Sequence, residues 1–303
     1  MDPQVDANPY LALAEVGDDA RWAFGGGFDD PLEGVDTRVP EGLDANALAS
    51  VCLALGDESL LLAQTLQRWC THAPELEEEV AIANVALDLI GQTRLLYARA
   101  AAAVPSLVPE LPDGSVVPAE DRLAFFRDAT DFHVATLAVM PDADFAGLML
   151  RLAAVATWRD ALWQELRAAP DPVLAAVAGR AVAEVGYHRE LATRWVTVLA
   201  HGTDESARRV RDANGRVAPL VAQLADVPPG ASADAVWDRA WARAAAAFSK
   251  AWAEVPTLEA PAVELVESPR DAVSSSSGDG VAWRTELVQE MQSVARQHPM
   301  GRW

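Results

Sequence analysis

Hydrophobic and polar residues along this chain recur with the period of an α-helix, in long stretches that end near proline or glycine. Alternation with a period of two residues, which is typical of a half-buried strand, does not extend over a useful length. The pattern therefore predicts an all-α protein. Its four longest predicted helices cover residues 44–71, 74–103, 142–168 and 172–201.

The residues at the predicted helix ends suit the chemistry of helix termini. Asp44 is a candidate N-cap for the first helix, in which Gly56–Asp57 marks a candidate interruption. Pro74 fits the first turn of the second helix, and the acidic run after it favours the positive end of the helix dipole.

Shorter helices are predicted before and after the pair of long helices at 142–168 and 172–201. A loop at 105–118 leads into a helix at 119–129, and further helices are predicted at 204–225, 233–255 and 281–296. The helix at 233–255 carries aromatic residues at helical spacing, which indicates a core or interface stripe. These residues are Trp237, Trp241, Phe248 and Trp252.

Composition divides the chain into four parts. Residues 1–43 are predicted to form an irregular N-terminal arm, and residues 44–255 the helical bundle domain. Residues 256–280, rich in Pro, Glu and Ser, are predicted to be a flexible linker before a C-terminal helix and tail at 281–303. The arm contains aromatic residues, so we expect it to lie against the helical bundle or against a neighbouring subunit. These residues are Tyr10, Trp22, Phe24 and Phe28.

Charge and cysteine content restrict the partners and the compartment. The net charge of −21 argues against binding to nucleic acid or to an anionic membrane, since both require a basic surface. We expect neither a signal peptide nor a stretch that spans a membrane, because no charged start followed by an apolar run and no long uninterrupted apolar stretch occurs. The two cysteines form no disulfide framework, which favours a reducing cytoplasm.

Polar residues near the middles of the four long helices predict a site at the centre of the bundle. They are Gln64, Asn84, Asp88, Gln92, Thr157, Asp160, Glu184 and His188. One hypothesis is an unusual metal site built from Asp88, Asp160, Glu184 and His188. The other, which we favour, is a buried network of hydrogen bonds, because amides ligate iron poorly.

The sequence lacks the ligand motif of a di-iron bundle. Such a site uses Glu from two helices and a Glu-x-x-His pair from each of two others. The residues three positions before the five histidines are Trp69, Thr130, Val185, Val198 and Ala295. The chain therefore contains no E-x-x-H, and it also lacks a P-loop, a G-x-G-x-x-G and a nucleophile elbow.

Several segments of the chain carry a resemblance to a known family. They are Leu55-Gly56-Asp57, Trp69-Cys70-Thr71-His72-Ala73-Pro74-Glu75-Leu76-Glu77-Glu78, Leu87-Asp88-Leu89-Ile90-Gly91-Gln92, Asp144-Phe145-Ala146, Glu184-Val185-Gly186-Tyr187-His188 and Gly202-Thr203-Asp204-Glu205-Ser206. Through them, residues 45–303 resemble the C-subunit family of ring-1,2-phenylacetyl-CoA epoxidases.

The resemblance implies a ferritin-like four-helix bundle with additional C-terminal helices. It implies a cytoplasmic complex that epoxidises phenylacetyl-CoA with O2 and electrons from NADPH. In that complex the di-iron site belongs to the related A subunit, and a flavin and an iron–sulfur cluster belong to a reductase subunit. The C subunit shares the fold of the A subunit but lacks the ligands, which implies a structural role without a cofactor of its own.

Two positions show where this chain departs from the catalytic pattern implied by the resemblance. Leu89 and Gln92 stand where the related subunit has the Glu and His of one pair. In the other pair Val185 replaces Glu, and His188 remains.

Three hypotheses of function stay open at this point. The chain is a non-catalytic subunit of the epoxidase, a stand-alone metal-dependent oxygenase with divergent ligands, or a helical binding and assembly protein outside the pathway. Bound iron would distinguish the second from the others, and a stable complex with the catalytic subunit would distinguish the first from the third.

Overall fold

The computed structural model describes residues 32–226, 234–253, 255 and 278–301, and all regular elements in these ranges are helical. The α-helices are α1 (Ala45–Gln67), α2 (Leu76–Ala103), α3 (Ala119–Phe125), α4 (Thr136–Val139), α5 (Phe145–Leu166), α6 (Pro172–Ala200), α7 (Asp204–Val217), α8 (Asp234–Ala253) and α9 (Gly278–Gln297). Short 3-10 helices occur at Pro105–Leu107, Ala129–Asp131 and Ala218–Asp226. The prediction of an all-α protein is confirmed.

The four long helices form two hairpins joined by one long crossover. Helix α1 packs along α2, α5 packs along α6, and α2 contacts α6. Residues 104–144 connect the hairpins and contain α3 and α4. Two hairpins with a single crossover are the ferritin-like bundle, as predicted.

The shorter helices cover the outside of the first and third long helices. Helices α7 and α8 pack against α5, while α9 contacts α1, α3 and α4. The predicted aromatic stripe of α8 is a core stripe, since all four of its side chains are buried. Trp241 from this stripe lies 6.0 Å from Trp158 of α5, measured between ring centroids.

Most predicted helix starts are confirmed. The carboxylate of Asp44 accepts hydrogen bonds from the backbone of Asn46 and Ala47, and Pro172 opens α6 behind the N-cap Asp171. Pro74 was placed wrongly, because α2 begins at Leu76 with Glu75 as the N-cap.

Other features also differ from the prediction. Helix α5 begins at Phe145 rather than at residue 142, and α3 ends at Phe125 rather than at residue 129. Helix α1 runs without interruption through Gly56–Asp57. The four-residue helix α4 was not predicted, being too short to show a period. Helix α9 begins at Gly278, so residues 278–280 are helical rather than part of a linker.

Some predictions concern residues outside the described ranges. They are the aromatic residues of the arm, at positions 10, 22, 24 and 28, and residues 256–277 of the predicted linker.

The expectation about membrane spans needs a correction. Among the described residues, α1 is long and apolar enough to cross a bilayer, but 78% of its most apolar window is buried inside the protein. A core helix of a bundle passes the same test of length and hydropathy.

Candidate functional site

One arginine lies where the polar groups of the bundle converge. Arg159 of α5 is 2% exposed, and its guanidinium reaches two other helices. Its Nη1 donates to Oε2 of Glu58 at 2.9 Å, and its Nη2 donates to Oγ of Ser59 at 2.7 Å and to Oε1 of Gln92 at 2.8 Å. The guanidinium therefore joins α1, α2 and α5 at the centre.

The fourth long helix joins this network through an amide. Gln92 donates from Nε2 to Oε2 of Glu184 on α6, at 2.8 Å. The other carboxylate oxygen of Glu184 accepts from Nε of Arg180 at 2.7 Å, and the Arg180 side chain is exposed. A chain of hydrogen bonds thus runs from the buried guanidinium to the outer surface of α6.

Burial and pairing have opposite effects on the central charges. Burial raises the pKa of Glu58, and the charge of Arg159 opposes this rise. Burial lowers the pKa of Arg159, and Glu58 opposes that change. Because arginine remains protonated in proteins, Arg159 carries a positive charge in the core, and the carboxylate of Glu58 compensates it. The guanidinium also lies 5.5 Å from the ring centroid of Trp163.

The residues at this centre do not fit a di-iron site. Iron in such bundles is bound by carboxylates and imidazoles, whereas a guanidinium has donors only and cannot ligate a metal. Arg159 binds the carboxylate of Glu58, and Gln92 supplies an amide. In the described part of the chain, no three His, Cys, Asp or Glu side chains are grouped as a metal site would require.

The four ligands of the metal hypothesis are divided among separate partners. His188 is buried, and its Nε2 lies 3.0 Å from Oδ2 of Asp88, which is partly exposed. Asp160 forms an ion pair with Arg189. Glu184 binds Gln92 and Arg180, as above. The structure joins Asp88 to His188 but brings neither of them together with Asp160.

Three predicted polar residues lie outside this network. The prediction that Asn84 is buried is wrong, because its side chain is exposed on the outer surface of α2. Gln64 is half-buried and has no hydrogen-bond partner among the described residues. Thr157 donates to the carbonyl oxygen of Ala153 in its own helix, at 2.7 Å.

Sequence reasoning missed the residues at the middle of the site, Glu58, Ser59 and Arg159. Helix α5 is apolar on nearly every side, so its pattern does not show which polar residue points inward. The signal present in the sequence was that charged residues, Glu58 and Arg159 among them, interrupt two largely apolar helices.

A second buried network, also missed, fixes the crossover to the first hairpin. The hydroxyl of Tyr97 donates to Oδ1 of Asp57 at 2.5 Å, and the backbone N–H of His133 donates to Oδ2 at 3.0 Å. Arg127 forms an ion pair with Asp57, and its guanidinium lies 4.2 Å from the ring centroid of Phe132. Burial, the largest cause, raises the pKa of Tyr97 well above its ordinary value.

Fold and site together define a ferritin-like four-helix bundle with an arginine–glutamate pair at its centre. Residues 36–303 match the family described as "Phenylacetic acid catabolic protein", whose label is PaaA_PaaC, and the chain belongs to this family. It is 37% identical over 182 residues to the C subunit of 1,2-phenylacetyl-CoA epoxidase from Escherichia coli (strain K12). That match covers 60% of this chain and 68% of the relative. The resemblance seen in the sequence is confirmed.

Proposed function

We propose that this chain is the non-catalytic structural subunit of a multicomponent phenylacetyl-CoA epoxidase. Family membership supports a role in phenylacetate catabolism, and the similarity to a C subunit supports a place in a complex of several subunits. The structural role is supported by one observation above all. The guanidinium of Arg159, bound to Glu58 and Gln92, lies where a catalytic bundle needs metal ligands.

The chemistry of the proposed complex resides in other chains. The A subunit holds the di-iron site and epoxidises phenylacetyl-CoA with O2. The reductase, with its flavin and iron–sulfur cluster, delivers electrons from NADPH. The present chain contributes a rigid bundle that binds and supports the A subunit in the cytoplasm.

Iron content tests this proposal. We expect the purified chain alone to contain no stoichiometric iron, because its centre offers Arg159 and Gln92 in place of ligands. The co-purified complex with the A subunit should contain about two irons per catalytic chain. Metal analysis on both samples, after expression with added iron, gives the comparison.

Two results would contradict the proposal in different ways. About two irons per isolated chain, the count of a di-iron bundle, would favour the stand-alone oxygenase. Failure to bind the A subunit, with no iron in the isolated chain, would favour a helical binding or assembly protein outside the pathway.

A further inference from the structure

A cavity of about 310 Å³ opens between α5, α6 and α8. None of the side chains that bind Arg159 at the centre of the bundle lines it, so it is separate from the site described above. Small-molecule sites in proteins have volumes of roughly 300–1,000 Å³ and combine an apolar lining with a few polar groups. The cavity lies at the lower end of this range and is large enough for a small ligand.

Regular spacing along two helices brings the lining side chains of the cavity together. Arg189, Thr193 and Thr197 recur every four residues on α6, so they share one side of that helix. Ala247 and Ala251 share one side of α8 for the same reason. Because alanine side chains are small, α8 fills little of the space in front of the polar residues of α6.

The inner wall of the cavity is apolar. Leu150 of α5, Val196 of α6 and Trp252 of α8 line it, and all three side chains are buried. The indole N–H of Trp252 donates to Oδ1 of Asn214 at 2.9 Å, so this donor is already used. The inner wall therefore offers apolar contact, which favours a ligand with a hydrocarbon body.

The threonine hydroxyls of the cavity have already donated their hydrogens. Thr157 donates to the carbonyl oxygen of Ala153, as described above. Thr193 donates to the carbonyl oxygen of Arg189 at 2.7 Å, and Thr197 donates to that of Thr193 at 3.0 Å. Each hydrogen bond stays within its own helix. A ligand that accepts hydrogen bonds must therefore find its donors elsewhere in the cavity.

Two cations supply these donors. Lys250 is the only lysine of the chain, lines the cavity and has no ion-pair partner among the described residues. Arg189 lines it too, and its Nη1 forms an ion pair with Asp160. Asp160 thus compensates one of the two positive charges, and the other is left for a ligand. One carboxylate matches that charge, whereas a phosphate monoester brings a charge of about −1.5 to −2 at pH 7.

We propose that this cavity binds a monocarboxylate with an apolar body. The ammonium group of Lys250 and the remaining N–H groups of the Arg189 guanidinium donate to the carboxylate, in charge-assisted hydrogen bonds. The hydrocarbon body lies against the inner wall of Leu150, Val196 and Trp252. This is a binding site of the chain itself, and it does not depend on the proposed function.

Calorimetric titration of the purified full-length chain with octanoate tests this proposal. We expect saturable binding of one octanoate per chain. Acetate keeps only the charge of this probe and 1-octanol only its hydrocarbon, so each should bind at least about tenfold more weakly. Lys250→Gln should weaken octanoate binding at least about tenfold, because it removes a charged donor. Arg211→Gln is the matched control, since Arg211 is exposed on α7 and does not line the cavity, and it should leave the affinity within about twofold.

A second variant tests the apolar part of the site without changing a charge. Ala247→Leu adds a larger side chain to the lining of the cavity, so it should weaken octanoate binding at least about tenfold. Ala245→Leu is its matched control, because Ala245 is half-buried on the same helix but does not line the cavity. The control should bind octanoate like the wild type, and melting temperatures show that all variants are folded.

Three results would overturn the proposal. They are no saturable binding of octanoate to the wild type, binding of 1-octanol as tight as that of octanoate, and octanoate binding that neither Lys250→Gln nor Ala247→Leu weakens. The first excludes the site, the second shows apolar partitioning without recognition of the carboxylate, and the third places the ligand elsewhere. None of them affects the proposed function, which iron content and binding of the A subunit decide.

Discussion

At the scale of the residue, the Glu58–Arg159 pair is the most consequential feature of the core. Both side chains are almost completely buried, and each is costly to transfer out of water without the other. Ser59 and Gln92 satisfy two of the remaining guanidinium hydrogens. Removing one charge and removing both should therefore have different consequences.

We expect Arg159→Leu to lower the free energy of unfolding by about 3–5 kcal/mol, because it leaves Glu58 buried without a cation. The double variant Glu58→Leu/Arg159→Leu should recover most of this loss, since neither charge then remains in the core. Urea unfolding of the three proteins at neutral pH measures the difference. A double variant as unstable as the single one would contradict the interpretation.

The same pair predicts how the Arg159→Leu defect depends on pH. Burial raises the pKa of Glu58, and removal of Arg159 takes away the charge that opposes this rise. When the pKa of Glu58 is higher in the folded protein than in the unfolded chain, protonation of its carboxyl favours the folded state. Its stabilising contribution is present below the ordinary pKa and is lost as the pH rises through the folded-state value. The variant should therefore lose less stability at pH 5 than at pH 8, and equal losses would exclude an unpaired Glu58 as the cause.

At the scale of the element, Gly56 explains why α1 and α2 lie so close together. A Cβ atom at this position would lie 2.5 Å from Cε1 of Tyr97, whose ring is buried. Tyr97 in turn donates its hydroxyl to Asp57, so the ring cannot turn aside without losing that bond. The glycine that suggested an interruption in the sequence instead permits close packing of two continuous helices.

Gly56→Ala should consequently destabilise the protein by about 1–3 kcal/mol, through overpacking against Tyr97. This is opposite in sign to the usual effect of Gly→Ala inside a helix. Gly179 of α6 is the matched control, since nothing lies within 4 Å of its added Cβ. Gly179→Ala should stabilise by about 0.5–1 kcal/mol. Thermal unfolding of both variants measures the two changes in stability. Stabilisation by Gly56→Ala would show that α1 and α2 can move apart at little cost.

At the scale of the whole molecule, the C-terminal helix ties the end of the chain to its middle. Gln292 of α9 is buried, and its Nε2 donates to the carbonyl oxygens of Ala124 and Arg127 at 3.0 and 2.9 Å. Its Oε1 accepts from Nε of Arg296 at 2.8 Å. Because Arg127 also binds Asp57 of α1, α9 stabilises the crossover and the first hairpin together.

Replacing Gln292 by Leu should destabilise the protein by about 1–3 kcal/mol, because the carbonyl oxygen of Ala124 loses its side-chain donor and that of Arg127 keeps only the one from Arg296. Amide hydrogen exchange should become faster in residues 119–131 as well as in α9. Gln289→Leu on the same helix is the control, since Gln289 is exposed. Faster exchange confined to α9 would show that this helix is not coupled to the crossover.

The sequence by itself determined the elements and the kind of protein. Helical periodicity, the N-caps Asp44 and Asp171, and the apolar content of the long helices are local properties, so the all-α bundle could be predicted from them. The missing E-x-x-H motif is likewise a property of spacing along the chain. Family resemblance was carried by contiguous segments and required no coordinates.

Only the tertiary structure decided which polar residues meet at the centre. Neighbours on a helix point about 100° apart, so Arg159 faces Glu58 while Asp160 faces Arg189. Asn84 and Asp88 lie one turn apart, yet Asn84 is exposed and Asp88 reaches His188. Periodicity fixes how residues are arranged relative to one another on one helix. When a helix is apolar on nearly every side, the side that faces the core is decided by packing against helices distant in sequence. That packing placed the guanidinium of Arg159 at the centre of the bundle.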